Sequence, residues 1–189
     1  MIRFFDIIIS ILIILCIAPV YFLLFIMVYF DLNENPIFIQ KRNGKNKKKF
    51  NFYKFRTMKV AEDGEVNFVQ ATSNDSRITR FGQILRTFSL DELPQFFNVL
   101  IGDMSIVGPR PHPIALDEKF EYLPNYNSRY LVKPGITGLA QIKGFTGETD
   151  TTEKMLNRLN ADLEYIEKQS LRLYLFIFFR TAFGKFYQK

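Results

Sequence analysis

Apolar residues crowd toward the two ends of this 189-residue chain, and the middle alternates between short apolar runs and charged turns. From Ile7 to Phe30 the run IIISILIILCIAPVYFLLFIMVYF carries no charge, and as a helix it is long enough to cross a hydrocarbon core of about 30 Å. It is too long for a cleaved signal peptide, and no small-residue cleavage site follows it. Pro19 sits midway, where it removes one helical N–H and clashes with the carbonyl of Leu15, at a cost of about 3 kcal/mol in a helix interior. Lipid offers the freed carbonyl no partner. The pattern therefore predicts a re-entrant segment that enters and leaves the same leaflet.

Beyond it, PIFIQ and FNFYKFRTM are short, Phe- and Ile-rich and joined through RNGKNKKK, which predicts a β-hairpin with an Asn-Gly signal in its loop. If NFYKFR is extended, Lys54 and Arg56 point to one face, either to meet one anion or as an ordinary polar sheet face. Phe96, Phe97, Val99, Leu100 and Ile101 read as a helix that stops at Gly102-Asp103. Its start is ambiguous. Ser89 and Glu92 match a capping box, but Pro94 would then forfeit an intrahelical bond, whereas Asp91 as the cap avoids this. In either register Asp91 and Glu92 occupy the first turn and diverge by about 100°. The C-terminal SLRLYLFIFFRTAFGKFYQK interleaves aromatics with Arg172, Arg180, Lys185 and Lys189, as in a helix lying in a membrane interface; an ordinary core helix is the alternative.

Length and composition fit one unit, divided into a re-entrant membrane segment over residues 1–32 and a cytoplasmic-face domain over 33–189 that ends in the interfacial helix. The lone Cys16 rules out an intrachain disulfide, and the lone His112 rules out a multi-histidine zinc site. Any metal should be oxygen-bound. The net charge of +6 is concentrated after the apolar run, in Lys41, Arg42, Lys45, Lys47, Lys48, Lys49, Lys54 and Arg56, which holds that side in the cytoplasm. Lys45 to Lys49 read as a solvated turn tip that touches anionic headgroups.

A phosphate site can be assembled from what remains. GDMSIVGPRP ends in a Gly/Pro-punctuated turn presenting Arg110, Arg80 and Arg86 flank the preceding helix, VKPGITGLAQIKG adds Lys133 and Lys143, and LNADLEYIE places Asp162 in a helix. Acids beside arginines favour a Mg²⁺-bridged phosphate; structural ion pairs remain the alternative for each arginine.

YKFRTM, RFGQILRTFSLDELPQFFNVLIGDMSIVGPRP, KPGITGLAQIKG and DLEYI, in this order and spacing, resemble the bacterial sugar transferases, the monotopic phosphoglycosyl transferases. The resemblance implies an α+β, mostly helical monotopic membrane protein with an N-terminal re-entrant helix, a small β-hairpin and interfacial amphipathic helices, in its minimal catalytic form, on the cytoplasmic face of a bacterial inner membrane. It implies transfer of a sugar 1-phosphate from a UDP-sugar to a polyprenol phosphate such as undecaprenyl phosphate, releasing UMP and beginning a glycan on a lipid carrier. Carried onto matching positions, it makes Asp91 the nucleophile and Glu92 its partner, with Mg²⁺ held at both. Lys54, Arg56, Arg86, Arg110 and Asp162 match the family's polar positions and are expected to bind substrate. One departure is Ala18-Pro19, where the family pattern has Ser-Pro.

The rival reading is a non-enzymatic membrane adaptor that uses its basic face for anionic lipid or an acidic partner; it leaves Asp91 and Glu92 without a role. Nucleic-acid binding ranks last, because interface and core packing account for the aromatics. The sequence leaves the sugar, the glycan and a homodimer open.

Overall fold

The computed structural model of the protein describes residues 1–59 and 75–184. The N-terminal apolar run forms one helix, α1 (Ile2–Leu32), that continues through Pro19 and ends at Asn33, whose left-handed φ of 54° lets its N–H bond the carbonyl of Tyr29. Asn tolerates this cap geometry because its short polar side chain offsets the Cβ penalty. Thirty-one residues at 1.5 Å each give about 46 Å. Among the described residues it is the one helix long and apolar enough to cross a membrane.

Only four of its side chains are buried, in two pairs each one turn apart: Asp6 and Ser10 near the start, Leu24 and Val28 near the end. Between them Ile11, Leu12, Leu15 and Val20 are exposed. Leu24 and Val28 pack with Phe55 and Leu85, while Ile2, Phe5 and Ile9 pack against the cluster of Phe52, Val99, Met104 and Ile106. Both ends of α1 therefore dock on the same body, and its middle keeps a face of exposed apolar side chains.

The expected hairpin is present: β1 (Ile37–Asn43) pairs antiparallel with β2 (Lys49–Phe55), Ile39 opposite Tyr53 and Arg42 opposite Phe50. Gly44 and a 3-10 turn at Lys45–Lys47 form the tip, so the lysine run does lie at a turn. Phe50 and Phe52 face inward, and Lys54, next in the same alternation, ends that series where the apolar core gives way to the candidate site.

Short helices, turns and a pair of strands frame that site. Helix α2 (Arg80–Thr87) is capped by Thr79, whose Oγ1 accepts from the Gly82 N–H at 2.8 Å. A 3-10 turn at Leu90–Glu92 leads into α3 (Gln95–Ile101), which stops at Gly102 with φ 97°. Strand β3 (Ser105–Val107) follows, and after α4 (Ile114–Phe120) and a 3-10 segment at Tyr126–Leu131 it finds a parallel partner in β4 (Gly135–Thr137). Here the two backbones are in contact: a Cβ on Gly135 would stand 2.1 Å from the Gly108 nitrogen. This second, two-stranded pair is unforeseen by hydrophobic alternation, since three-residue strands are too short to show a period.

The short α5 (Leu139–Ile142), then α6 (Thr152–Glu167) and α7 (Leu171–Gly184), complete the fold. Helix α7 has two unlike faces. Tyr174 and Ile177 are fully buried against the core, as the core-helix reading has it, whereas Phe176, Phe179 and Phe183 are exposed. Lys185 and Lys189, the basic residues expected at its end, lie outside the described residues.

Candidate active site

Ser89 adopts a left-handed φ of 57°, so the chain turns sharply before the 3-10 residues Leu90, Asp91 and Glu92; Leu93 and Pro94 are already helical. Ser89 forms no side-chain capping bond, because a capping serine needs an extended backbone. Glu92 turns away from the helix start to two cations. The capping box is thus not formed. Pro94, at the threshold of α3 where no N–H donor is needed, fixes the turn without cost to the helix.

The carboxylates of Asp91 and Glu92 share one cation. Lys54 Nζ lies 3.2 Å from Asp91 Oδ2 and 3.1 Å from Glu92 Oε1. Arg110 adds a fork to Glu92, with Nη1 3.1 Å from Oε2 and Nη2 on Oε1, while Nη1 also reaches the Ile136 carbonyl at 3.3 Å. Asp91 is buried, but Lys54, Glu92 and Arg110 each keep part of their side chains open to solvent. Burial opposes the charge on Glu92, yet Arg110 and Lys54, by charge and hydrogen bond, hold its carboxyl well below the usual carboxylate range. Arg86 stands close enough to feel the charge of Asp91, which partly offsets the burial that lowers its pKa; its Nε donates to Thr57 Oγ1 at 2.9 Å.

Of the residues singled out in the sequence, Lys54, Asp91, Glu92 and Arg110 therefore meet directly, and Arg86 adjoins them. Arg56 stands apart from this group: it pairs with Glu34 at 3.4 Å and donates to the Asn35 carbonyl at 2.9 Å. Strand β2 ends at Phe55, so the alternation that aims Lys54 does not extend to it. Asp162 is 1% exposed and lies behind the site, accepting from Arg129 Nε at 2.9 Å. Lys143 pairs with Glu164 at the surface, Arg80 is exposed, and Lys133 lies beside Gly102.

A buried polar layer supports Arg110 from below, and sequence reading missed most of it. Arg129, 4% exposed, donates to Asp162, to the Arg110 carbonyl at 2.7 Å and to His112 Nδ1 at 3.0 Å. An arginine only donates, so Nδ1 is the unprotonated nitrogen and His112 is neutral; burial and the charge of Arg129 push its pKa down to about 3. Tyr126 donates to Asp117 at 2.8 Å. Arg42, counted in the sequence with the surface basic block, is buried under the Pro111 carbonyl, 3.7 Å above the Phe52 ring. No spacing marks these arginines as interior, because an arginine is buried only where a tertiary partner awaits it.

The donor set also bears on a metal. Among the described residues no group of three or more His, Cys, Asp or Glu forms a cage. Two adjacent carboxylates, Asp91 and Glu92, instead suit Mg²⁺, which commonly takes one or two carboxylates and completes its shell with substrate phosphate and water.

A profile of the bacterial sugar transferase family matches residues 1–188. The chain is 49% identical over 185 residues to the UDP-glucose:undecaprenyl-phosphate glucose-1-phosphate transferase of Klebsiella pneumoniae, a match covering 97% of this chain and 40% of that protein. It is 43% identical to the protein of the same name from Caulobacter vibrioides, covering 95% of this chain and 67% of the relative. With the exopolysaccharide production protein PSS of Rhizobium leguminosarum bv. phaseoli it shares 42% identity over 95% of this chain and 92% of that protein. The chain thus spans well under half of the Klebsiella relative and nearly all of the Rhizobium one. The family profile's match over residues 1–188, together with relatives 42–49% identical over almost the whole of this chain, places it in the bacterial sugar transferase family.

Proposed function

We propose that the protein is a phosphoglycosyl transferase that moves a sugar 1-phosphate from a UDP-sugar to a polyprenol phosphate by two displacements at Asp91. The observation that carries this reading is Lys54 bridging Asp91 and Glu92 while Arg110 grips Glu92 from the other side. A carboxylate attacks without a general base. Asp91 attacks the β-phosphorus, the bond from that phosphorus to the bridging oxygen breaks, and UMP leaves with the electron pair. Lys54 and Arg110 lower the repulsion between the acidic pair and the incoming phosphates. In the second displacement an oxygen of the lipid phosphate attacks the same phosphorus, the Asp91–phosphorus bond breaks, and the carboxylate is regenerated. Asp91 and Glu92 would hold Mg²⁺, which supplies charge neutralisation on the diphosphate.

Arg86 serves the diphosphate and Asp162 its support in this reading; the first adjoins Asp91, and the second acts through Arg129, whereas Arg56, turned to Glu34, takes no part. The apolar α1, docked at both ends with its middle exposed, supports a re-entrant membrane segment with the site at headgroup depth on the cytoplasmic face of the inner membrane. The names of the relatives support undecaprenyl phosphate as acceptor and put UDP-glucose first among donors to try. Purified protein mixed with Mg²⁺, undecaprenyl phosphate and a panel of UDP-sugars should release UMP with at least one donor. No UMP with any of them would overturn the reading.

A further inference from the structure

Asp6 is the only acid in the first five turns of α1, and it is 2% exposed. Three donors converge on its Oδ1: Ser105 Oγ at 2.9 Å, the Ile106 N–H at 2.9 Å and the Tyr174 hydroxyl at 2.8 Å. They stand on β3 and α7, so one oxygen joins the start of the chain, its middle and its last described helix. Three residues earlier, Arg3 donates to the carbonyls of Val99 at 2.5 Å and Leu100 at 2.8 Å, in the last turn of α3.

Both attachments lead to the site. Helix α3 begins four residues after Asp91, and Ile106 precedes Arg110 by four. The start of α1 is thereby fixed to the two segments that carry the acidic pair and its arginine. An apolar side chain at position 6 would leave three buried donors converging on nothing.

On the reading of α1 as a membrane segment and of the chain as a transferase with a lipid acceptor, we propose that Asp6 is a positioning residue for the lipid half of the reaction. It fixes the catalytic body to the membrane helix, so that the Asp91 carboxylate stands at the depth of the acceptor phosphate. A UDP-sugar arrives from water and meets the site at any tilt of the body. A polyprenol phosphate is held at one depth, and misplacement on the order of 1 Å can cost about a hundredfold in rate. Tilt should thus act on the second displacement and spare the first.

The test separates the displacements using the full chain in lipid nanodiscs with Mg²⁺ and an active UDP-sugar. UMP released in a single turnover without acceptor reports the first, and loss of labelled phosphosugar from the protein on adding undecaprenyl phosphate reports the second. Asp6→Leu should keep the UMP burst and slow the lipid step about tenfold or more. Asp6→Asn retains the accepting oxygen and should restore the lipid step to within about threefold of the unaltered protein. A normal lipid step in Asp6→Leu, or equal loss of both steps, overturns the proposal. Should Asp6→Leu not fold, Tyr174→Phe removes one donor while leaving the acceptor; it should slow the lipid step alone, and unchanged or uniformly reduced rates overturn the proposal too. Absence of UMP from the unaltered protein sinks the transferase reading itself.

Discussion

Arg129 donates through Nη2 to the backbone carbonyl of Arg110 at 2.7 Å, so a buried guanidinium sets the position of the one that faces Glu92. Arg129 is in turn fixed by Asp162. Burial raises the Asp162 pKa even against that partner, a sign of how costly its charge is away from water. Asp162→Asn leaves Arg129 underpaired. It should lower stability by about 3–5 kcal/mol and reduce turnover, read by chemical denaturation in detergent beside UMP release.

Asp91→Asn should abolish the phosphosugar adduct and cut turnover by roughly a thousandfold or more. A full-strength adduct on folded Asp91→Asn protein, seen by intact mass, would assign the nucleophile elsewhere.

Lys54→Met removes the cation shared by both acids. Turnover should fall about a hundredfold, as when one preorganised electrostatic contact is lost. Because Lys54 and Arg110 both depress the Glu92 pKa, the acid limb of the pH–rate profile should also move to higher pH in Lys54→Met. An unmoved limb would place the titrating group elsewhere.

Exhaustive chelation should stop UMP release, and Mg²⁺ should restore it. Activity that survives EDTA removes the metal from the reaction.

His112 supplies a pH test of stability. Its folded pKa is about 3, lowered by burial and then by Arg129, against about 6.5 for a solvated imidazole. Above that unfolded value neither state carries the proton. Between about 6.5 and about 3 the unfolded chain takes a proton that the folded one refuses, so stability falls by up to about 1.4 kcal/mol per pH unit as the solution is acidified. Replacing His112 with Gln should flatten that stretch of the stability curve, measured by urea unfolding at several pH values.

Gly135→Ala would drive a Cβ into the Gly108 backbone. The β3–β4 contact cannot yield as a flexible side chain could, so a loss of about 1–3 kcal/mol is expected, along with slower turnover, since Arg110 follows Gly108 by two residues. Thermal unfolding and the UMP assay check both.

The sequence determined the large parts because each rests on local chemistry. An uncharged run of that length is helical with no help from the rest of the chain, Asn-Gly with flanking apolar alternation closes a hairpin, and Gly102 stops α3 through a backbone conformation that favours glycine. The pairing of Lys54 and Arg110 with the acidic turn was legible only as types of residue on motifs. What tertiary structure decided is which charges meet: Arg56 turns to Glu34, Arg42 and Arg129 go inside, and Asp162 supports the site from behind. Asp6 is the clearest case, since its three donors come from residues 99 to 168 positions away. Local patterns record a residue's preferred backbone and solvent. A buried charge is tolerated only where distant donors converge on it, and that convergence exists nowhere in the chain until it has folded.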